Sequence, residues 1–466
     1  MLTYQDLIEV GNNEANRQDF VLRVINEHKA SQLYKEACIA EDYDKGKNRT
    51  ISEYQKLLYT ITGNAVPDNY SANYKMPSKF FHRFVLQESQ FLLGNGIIFE
   101  DESIKHKLGN DFDKQLQKLG KNALIGGVAF GFFNLDHLES FKVTEFAPLY
   151  DEENGALSAG VRFWQIDSSK PLRATLYELD GYTDYLWKDG ECFVVAEKRA
   201  YITKAKSTKA DGTYIYDYEN YENFPIIPLW GNDNHQSELT GGREQIDCYD
   251  LIKSGFANDV DDASQIYWVL QNAGGMDDID LAQFVQKMHK LKAVVLDDGV
   301  QAESHTQEVP YNSREALLSR LEKDLYKDFM ALDPEHIASG SVTATQIKAA
   351  YEPLNSKVDD WEYCVREFVD EVLKLAGYEA EDYSFTRSQI VNAQEEIQSV
   401  LSAAQYLHTD YVTRKLLVLL GDGEKAEDML ELLNTDELDR SGLISDDSNA
   451  QNQEDEQEDE SSENQA

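Results

Sequence analysis

The residues of this chain that could do chemistry are many but unassembled. Nine histidines are scattered, with no HExxH pair and no His-Cys cluster, so neither a zinc-protease helix nor a structural zinc site is spelled out. Cys38, Cys192, Cys248 and Cys364 stand far apart, without the spacing of a zinc site or a redox motif, and reduced thiols are the default. Asp42, Asp44 and Gly46 begin like a calcium loop, but the glutamate and the third ligand fall in the wrong places. Gly126, Gly127 and Gly131 are not followed by the Lys-Ser or Lys-Thr pair of a phosphate-binding loop; such glycines let a strand approach its neighbour closely. Among 85 acidic residues some carboxylates meet by chance, so a carboxylate-using hydrolase with an aromatic binding sheet is kept as an alternative. No catalytic residue, metal ligand or cofactor is assigned, and the expectation is a protein that is not an enzyme.

Charge bears on the partners. A formal net charge of -41 over 466 residues opposes a grip on DNA, which needs clustered Lys and Arg to neutralise phosphates. Lys75, Lys79, His82 and Arg83 form a small basic group that could touch nucleic acid or a partner; solvated helix surface accounts for them better. The polar N-terminus lacks an apolar signal core, and no apolar run is long enough to span a bilayer. The expectation is a soluble protein made in a cytoplasm, not secreted, with no membrane partner and about two to four domains.

The elements that would position a site change texture along the chain. Thr3 to Asp44 reads as helix with Leu7, Val21, Ile25, Leu33 and Tyr34 as anchors, and Lys45 to Tyr74 is looser. Pro77 opens a helix through Phe80, Phe81, Phe84, Leu86, Phe91 and Leu92, and Asp111 to Gly127 is another. From Phe130 to Trp230 apolar and polar residues alternate between Asn-Gly and Asp-Gly turns, an antiparallel meander whose Tyr and Phe residues suit core packing better than a carbohydrate platform.

A long amphipathic helix follows in GREQIDCYDLIKSGFANDVDDASQIYWVLQNAGG, Gly242 to Gly275. Its seam is Ile246, Tyr249, Ile252, Phe256, Val260, Ala263, Tyr267 and Leu270, flanked by Asp247, Asp250, Asp259, Asp261 and Asp262. At 1.5 Å per residue, roughly 30 residues make about 45 Å of helix. Then come a short helix from Leu281 to Lys290 and a hairpin of Ala293–Leu296 and Val300–Val309 turning at Asp297-Asp298-Gly299. Asn312 or Ser313 caps a second helix carrying Leu317, Leu318, Leu321, Leu325 and Phe329. Pro334 and Gly340 bound a polar loop, Thr343 with Gln346 fits a capping box, and Pro353 should kink the helix so begun. Phe385 to Leu433 reads as two or three helices, and the acidic NQEDEQEDESSENQA tail as disordered.

That order of elements resembles the stem, clip, tunnel loop and kinked helix of the portal proteins of tailed bacteriophages, the head-to-tail connectors, of the siphovirus type from phages of Gram-positive bacteria. The resemblance rests on the helix just quoted, on MALDPEHIASGSVTATQIKAAYEPLNSKVDDWEYCVREFVDEVLKLAG from Met330, and on NYKMPSKFFHRFVLQESQFLLGNGIIFE from Asn73. It covers most of Asn73 to Leu433. It implies an α+β, portal-like fold with an antiparallel β-rich wing, a long α-helical stem, a small α/β clip, a kinked helix and an α-helical crown. The implied division is 1–72 N-terminal helical region, 73–240 wing, 241–275 first stem helix, 276–311 clip and 312–330 second stem helix. It continues with 331–342 tunnel loop, 343–378 kinked helix, 379–434 crown and 435–466 acidic tail.

The function that the resemblance implies is a structural channel. A dodecameric ring at one capsid vertex would let double-stranded DNA be packaged and ejected. It would dock the terminase large subunit and then a head-completion adaptor, and meet scaffolding and major capsid proteins. Such a protein belongs to the virion and assembles in the bacterial host cytoplasm. It would use no cofactor. Asp247, Asp250, Lys253, Asp261 and Asp262 are the implied channel-lining candidates, with Lys348 a phosphate contact. Asp333, Pro334, Glu335, His336, Ser339, Gly340 and Ser341 form the implied tunnel loop, and Pro353 the kink.

Overall fold

Side-chain caps open the first helices. Thr3 and Asp6 form a capping box on α1 (Tyr4–Val10), while Asn13, Ser31 and Asn48 cap α2 (Glu14–Ala30), α3 (Gln32–Asp44) and α4 (Arg49–Glu53). In the computed structural model the described residues are 2–59, 64–68, 71–101, 103–208, 214–263, 267–271, 301–305, 311–335, 344–378, 381–388, 393–420 and 430. After α4 come a two-stranded hairpin, β1 (Leu57–Tyr59) with β2 (Ala65–Pro67), then α5 (Phe80–Leu93), β3 (Ile97–Phe99), α6 (Ser103–Leu108) and α7 (Phe112–Gly126). Pro77 lies just ahead of α5 rather than in its first turn.

Of the meander expected between Phe130 and Trp230, the part from Phe146 to Arg199 is present as one sheet. Strands β6 (Phe146–Tyr150), β7 (Leu157–Trp164), β8 (Leu172–Glu178), β9 (Gly181–Lys188) and β10 (Glu191–Arg199) pair antiparallel in sequence order. The β9–β10 turn has Asp189 at φ 54° and Gly190 at φ 86°, the doubly left-handed geometry that Asp-Gly favours in a two-residue hairpin. A three-stranded sheet sets β4 (Val128–Asn134) between β13 (Ile226–Trp230) and β5 (His137–Lys142), and β11 (Ile202–Thr208) pairs with β12 (Tyr214–Glu219).

Among the described residues, two buried clusters pack on the sheets. Leu7, Val21 and Ile25 of the N-terminal helices bury against Leu149, Val161, Leu176 and Tyr185 of the five-stranded sheet. Phe130, Phe132, Phe141, Phe146, Tyr177 and Tyr201 form the second, with Phe130 and Phe146 at 4.6 Å between ring centres. These sheet rings are interior and offer no aromatic platform.

After the sheets come α8 (Arg243–Ala263), β14 (Tyr267–Gln271), β15 (Gln301–His305), α9 (Tyr311–Asp328), α10 (Ala344–Leu375) and β16 (Tyr383–Phe385), the last paired with β3. The expected helix to Gly275 is therefore too long. It stops at Ala263, and Tyr267–Gln271 is a strand paired antiparallel with Gln301–His305. The aromatic and β-branched run Tyr267-Trp268-Val269 favours a strand once a partner is supplied. The Val300–Val309 strand thus exists in its first half but pairs with β14. Its expected partner Ala293–Leu296, the 297–299 turn and the Leu281–Lys290 helix lie outside the described residues. Helix α9 begins at Tyr311, so Asn312 and Ser313 lie inside it rather than capping it.

The chain divides into two units, Met1–Leu332 with Pro353–Ser388, and Asp333–Glu352 with Gln389–Ala466. In the second, α11 (Ala393–Ala403) and α12 (Thr409–Leu420) pack on each other, joined by a 3-10 turn at Ala404–Tyr406. The architecture is mixed α+β. Among the described residues no helix is long and apolar enough to cross a membrane.

Candidate channel elements

Helices α8 and α9 form an antiparallel pair. Gln245 donates to the Asp328 carboxylate at one end, and Arg314 pairs with Asp259 at the other, where the Phe256 and Tyr311 rings lie 5.4 Å apart. The start of α8 and the close of α9 return to the same part of the body.

The acidic residues of α8 separate into two groups. Asp247 accepts hydrogen bonds from the Tyr43 hydroxyl and, at 2.7 Å, from Thr50, with Arg243 3.8 Å away. Asp250 is 0 % exposed; its Oδ1 accepts from the backbone N–H of Ser78 at 2.9 Å and its Oδ2 from Asn48 at 2.8 Å. Burial raises its carboxyl above the ordinary range, against those hydrogen bonds. Asp250 is therefore not a channel-lining residue, and Asp247 has both oxygens committed to the N-terminal helices. Sequence polarity showed acidic positions but not that α3 and α4 cover this side of the helix. Lys253 is half-buried with its ammonium 5.9 Å from the Tyr249 ring centre. Asp261 is exposed, and the Asp262 side chain lies outside the described residues.

Three of the four basic residues around the start of α5 are also committed. The Lys75 ammonium donates to the carbonyls of Ser52 and Tyr54, His82 meets Asp44 at 2.8 Å, and Arg83 donates to the Tyr326 hydroxyl at 2.6 Å. These three side chains tie elements together, whereas Lys79 is exposed, as expected of a solvated surface.

Of the expected loop, Asp333, Pro334 and Glu335 are described, with the Glu335 N–H donating to Asp333 at 3.0 Å. His336, Ser339, Gly340 and Ser341 lie outside the described residues. Helix α10 runs through Pro353, which has no N–H for the Ala349 carbonyl one turn earlier. Lys348 is exposed in the turn before it.

Where α8 leaves the body and α9 returns, sequence reading missed the central residue. The Lys357 ammonium lies 2.7 Å from Glu88 of α5, 2.7 Å from Glu238 just ahead of α8, and 3.4 Å from the carbonyl of Phe329 just after α9. A lysine has three N–H donors, and each here meets a different chain segment. Burial pushes the Glu88 carboxyl up to about 7, against the pull of Lys357. Burial alone would depress the Lys357 ammonium, but the two carboxylates raise it above the usual lysine value. The signal was legible, since Lys357 stands between Leu354 and Trp361 on an apolar helical stripe.

Aromatic and backbone contacts complete this joint. Phe329 stacks on Phe84 at 4.7 Å, and Gly242 lets it approach, since a Cβ there would stand 2.3 Å from the Phe329 ring. Gln87 holds Leu332 through both backbone groups, at 3.1 and 3.0 Å. Next to α10, Arg387 pairs with Asp359 and, at 2.8 Å, with Glu362.

Elsewhere, a cavity of about 350 Å³ lies between β3, α6 and α7, lined by Lys105, His106, Asn110 and Asp113. Among the described residues no group of three or more His, Cys, Asp or Glu is arranged to hold a metal ion.

The family model described as phage portal protein, SPP1 Gp6-like, matches residues 40–432. The portal protein of Bacillus phage SPP1 is 25 % identical over 422 residues, 82 % of this chain and 79 % of that protein. The portal protein of Clostridium phage phiCD119 is 22 % identical over 370 residues, 72 % of this chain and 79 % of that protein. Neither the family nor these relatives support the hydrolase alternative. The chain belongs to the phage portal protein family, SPP1 Gp6-like, and is a structural, non-enzymatic DNA-channel component of the phage head.

Proposed function

We propose that copies of this chain close into a dodecameric ring at one capsid vertex, through which double-stranded DNA enters during packaging and leaves at ejection. The ring docks the terminase large subunit and later a head-completion adaptor, and contacts scaffolding and major capsid proteins during assembly. Particles assemble in the host cytoplasm and carry the ring into the virion. In portal terms, α8 and α9 are the stem, residues between them the clip, the sheets the wing, and α11 with α12 part of the crown.

The observation that carries this reading is the α8–α9 pair, which leaves and rejoins the body at one ion-paired joint and brackets residues 264–310. Lys253, Asp261 and Asp262 remain the stem residues proposed to face DNA, with Lys348 a phosphate contact. Asp333 to Ser341 is the proposed tunnel loop, and Pro353 lets the helix behind it bend. The net charge of -41 favours a wall on which DNA slides over one to which it binds. The test is packaging into empty heads assembled with and without this protein, in the presence of terminase and ATP. DNase-protected DNA is expected only with it; equal protection in its absence would remove the channel role.

A further inference from the structure

The polar residues on the buried side of α8 are spaced at one helical turn. Asp250, Ser254 and Asn258 are 0 %, 5 % and 4 % exposed. Each accepts a hydrogen bond from the main chain of one extended segment: Asp250 from the Ser78 N–H at 2.9 Å, Ser254 from Met76 at 3.0 Å, and Asn258 from Tyr74 at 2.6 Å. Four residues of helix advance about 6 Å, and two residues of extended chain about 6.6 Å. The two repeats match closely enough for three successive bonds.

The segment is built for this. Pro77 lies between two of the donating residues, has no N–H of its own, and favours extended backbone at Met76 before it. The Tyr74 and Met76 side chains face solvent, so the backbone is what the helix contacts. The Lys75 ammonium fastens the segment to the carbonyls of Ser52 and Tyr54 at the end of α4. Asp262 continues the spacing in sequence, one turn beyond Asn258.

We propose that the strap Tyr74–Ser78 fixes the height of the stem, with Asp250, Ser254 and Asn258 as positioning residues that hold α8 in axial register. Resting on the portal reading, this assigns to the strap the level at which every copy presents residues 264–310 to a docking partner. A slip of α8 by one residue would bring Leu251, Gly255 and Asp259 to those positions, and slips of two or three residues likewise fail to supply three acceptors. A whole-turn slip offers Ser254, Asn258 and Asp262 instead. The register therefore tolerates displacement only in steps of about 6 Å.

The test compares two double variants of the full chain. Ser254→Ala with Asn258→Leu removes two acceptors at little cost in volume; Ser254→Thr with Asn258→Asp keeps them. Amide hydrogen exchange at Tyr74 and Met76 is expected to quicken at least tenfold in the first and to stay near the parent rate in the second. In electron cryomicroscopy of the assembled rings, the first should show the stem displaced or smeared along its axis relative to the sheets, the second a stem at the parent height. A stem unchanged in height and sharpness despite faster exchange would overturn the proposal, as would unchanged exchange. Failure of the first variant alone to form rings would also overturn it, since the ladder would then serve folding rather than height. A parent protein that forms no rings would instead count against the portal assembly, while its exchange rates still report on the strap.

Discussion

Lys357→Met is expected to destabilise the protein by about 3–5 kcal/mol at pH 8, the range for removing one partner of a buried ion pair. Methionine keeps the length and packing of the lysine stem, so what is lost is the charge. Glu88, 2 % exposed, and the neighbouring Glu238 would then face each other without a cation, and the Phe329 carbonyl would lose a donor. Arg320, 80 % exposed and paired with Asp324 one turn along α9, is the control. Arg320→Ala should stay within about 0.5 kcal/mol of the parent. The readout is the denaturant midpoint at fixed protein concentration, because assembly shifts apparent stability. Equal midpoints for the two variants would mean that the joint does not hold the stem roots to α10.

Glu88 gives the second prediction, and its sign follows from proton binding. Burial holds its folded-state carboxyl up to about 7, whereas its ordinary value is 4.5. Between those values the folded chain binds the proton that the unfolded chain has released. The stability contributed by that proton is complete below the ordinary value and is lost as pH rises through about 7. The size of the shift corresponds to up to roughly 3 kcal/mol across the window. Glu88→Gln keeps an oxygen for Lys357 and removes the buried charge, leaving Lys357 and Glu238 as a simple pair. The variant should match the parent within about 1 kcal/mol near pH 5 and exceed it by about 1–3 kcal/mol at pH 8. Unfolding midpoints measured from pH 5 to pH 8 check this. Parallel curves would show that Glu88 carries an ordinary carboxyl and that the joint is insensitive to pH.

Local chemistry was the legible part of the fold. Asp189-Gly190 announces its hairpin because few other residues accept two left-handed positions in succession. The caps at Ser31 and Asn48 passed unread, since Thr3 to Asp44 reads as one helical stretch and Lys45 to Tyr74 as looser. Pairings between distant segments were not legible. Tyr267 and Leu270 continue the helical spacing of α8, and only β15, some thirty residues later, makes that stretch a strand. The α8–α9 pair was visible as two apolar faces, but its acidic residues were not assignable to a side. Asp250 and Asp261 look alike in sequence; one is enclosed by Asn48 and Ser78 and the other is exposed. The strap escaped notice because its backbone does the bonding, and backbone leaves no trace in residue type beyond Pro77. Lys357 was readable as a charge on an apolar stripe, yet its partners Glu88 and Glu238 come from 269 and 119 residues away in the chain.

The most direct test of the channel claim is the mass of the purified protein in solution, with negative-stain images of the same fraction. A closed dodecamer of the 53.1 kDa chain with a central hole is expected, since identical head-to-tail contacts close into a cyclic ring. A monodisperse monomer at every concentration, unchanged when scaffolding and capsid proteins are added, would contradict it.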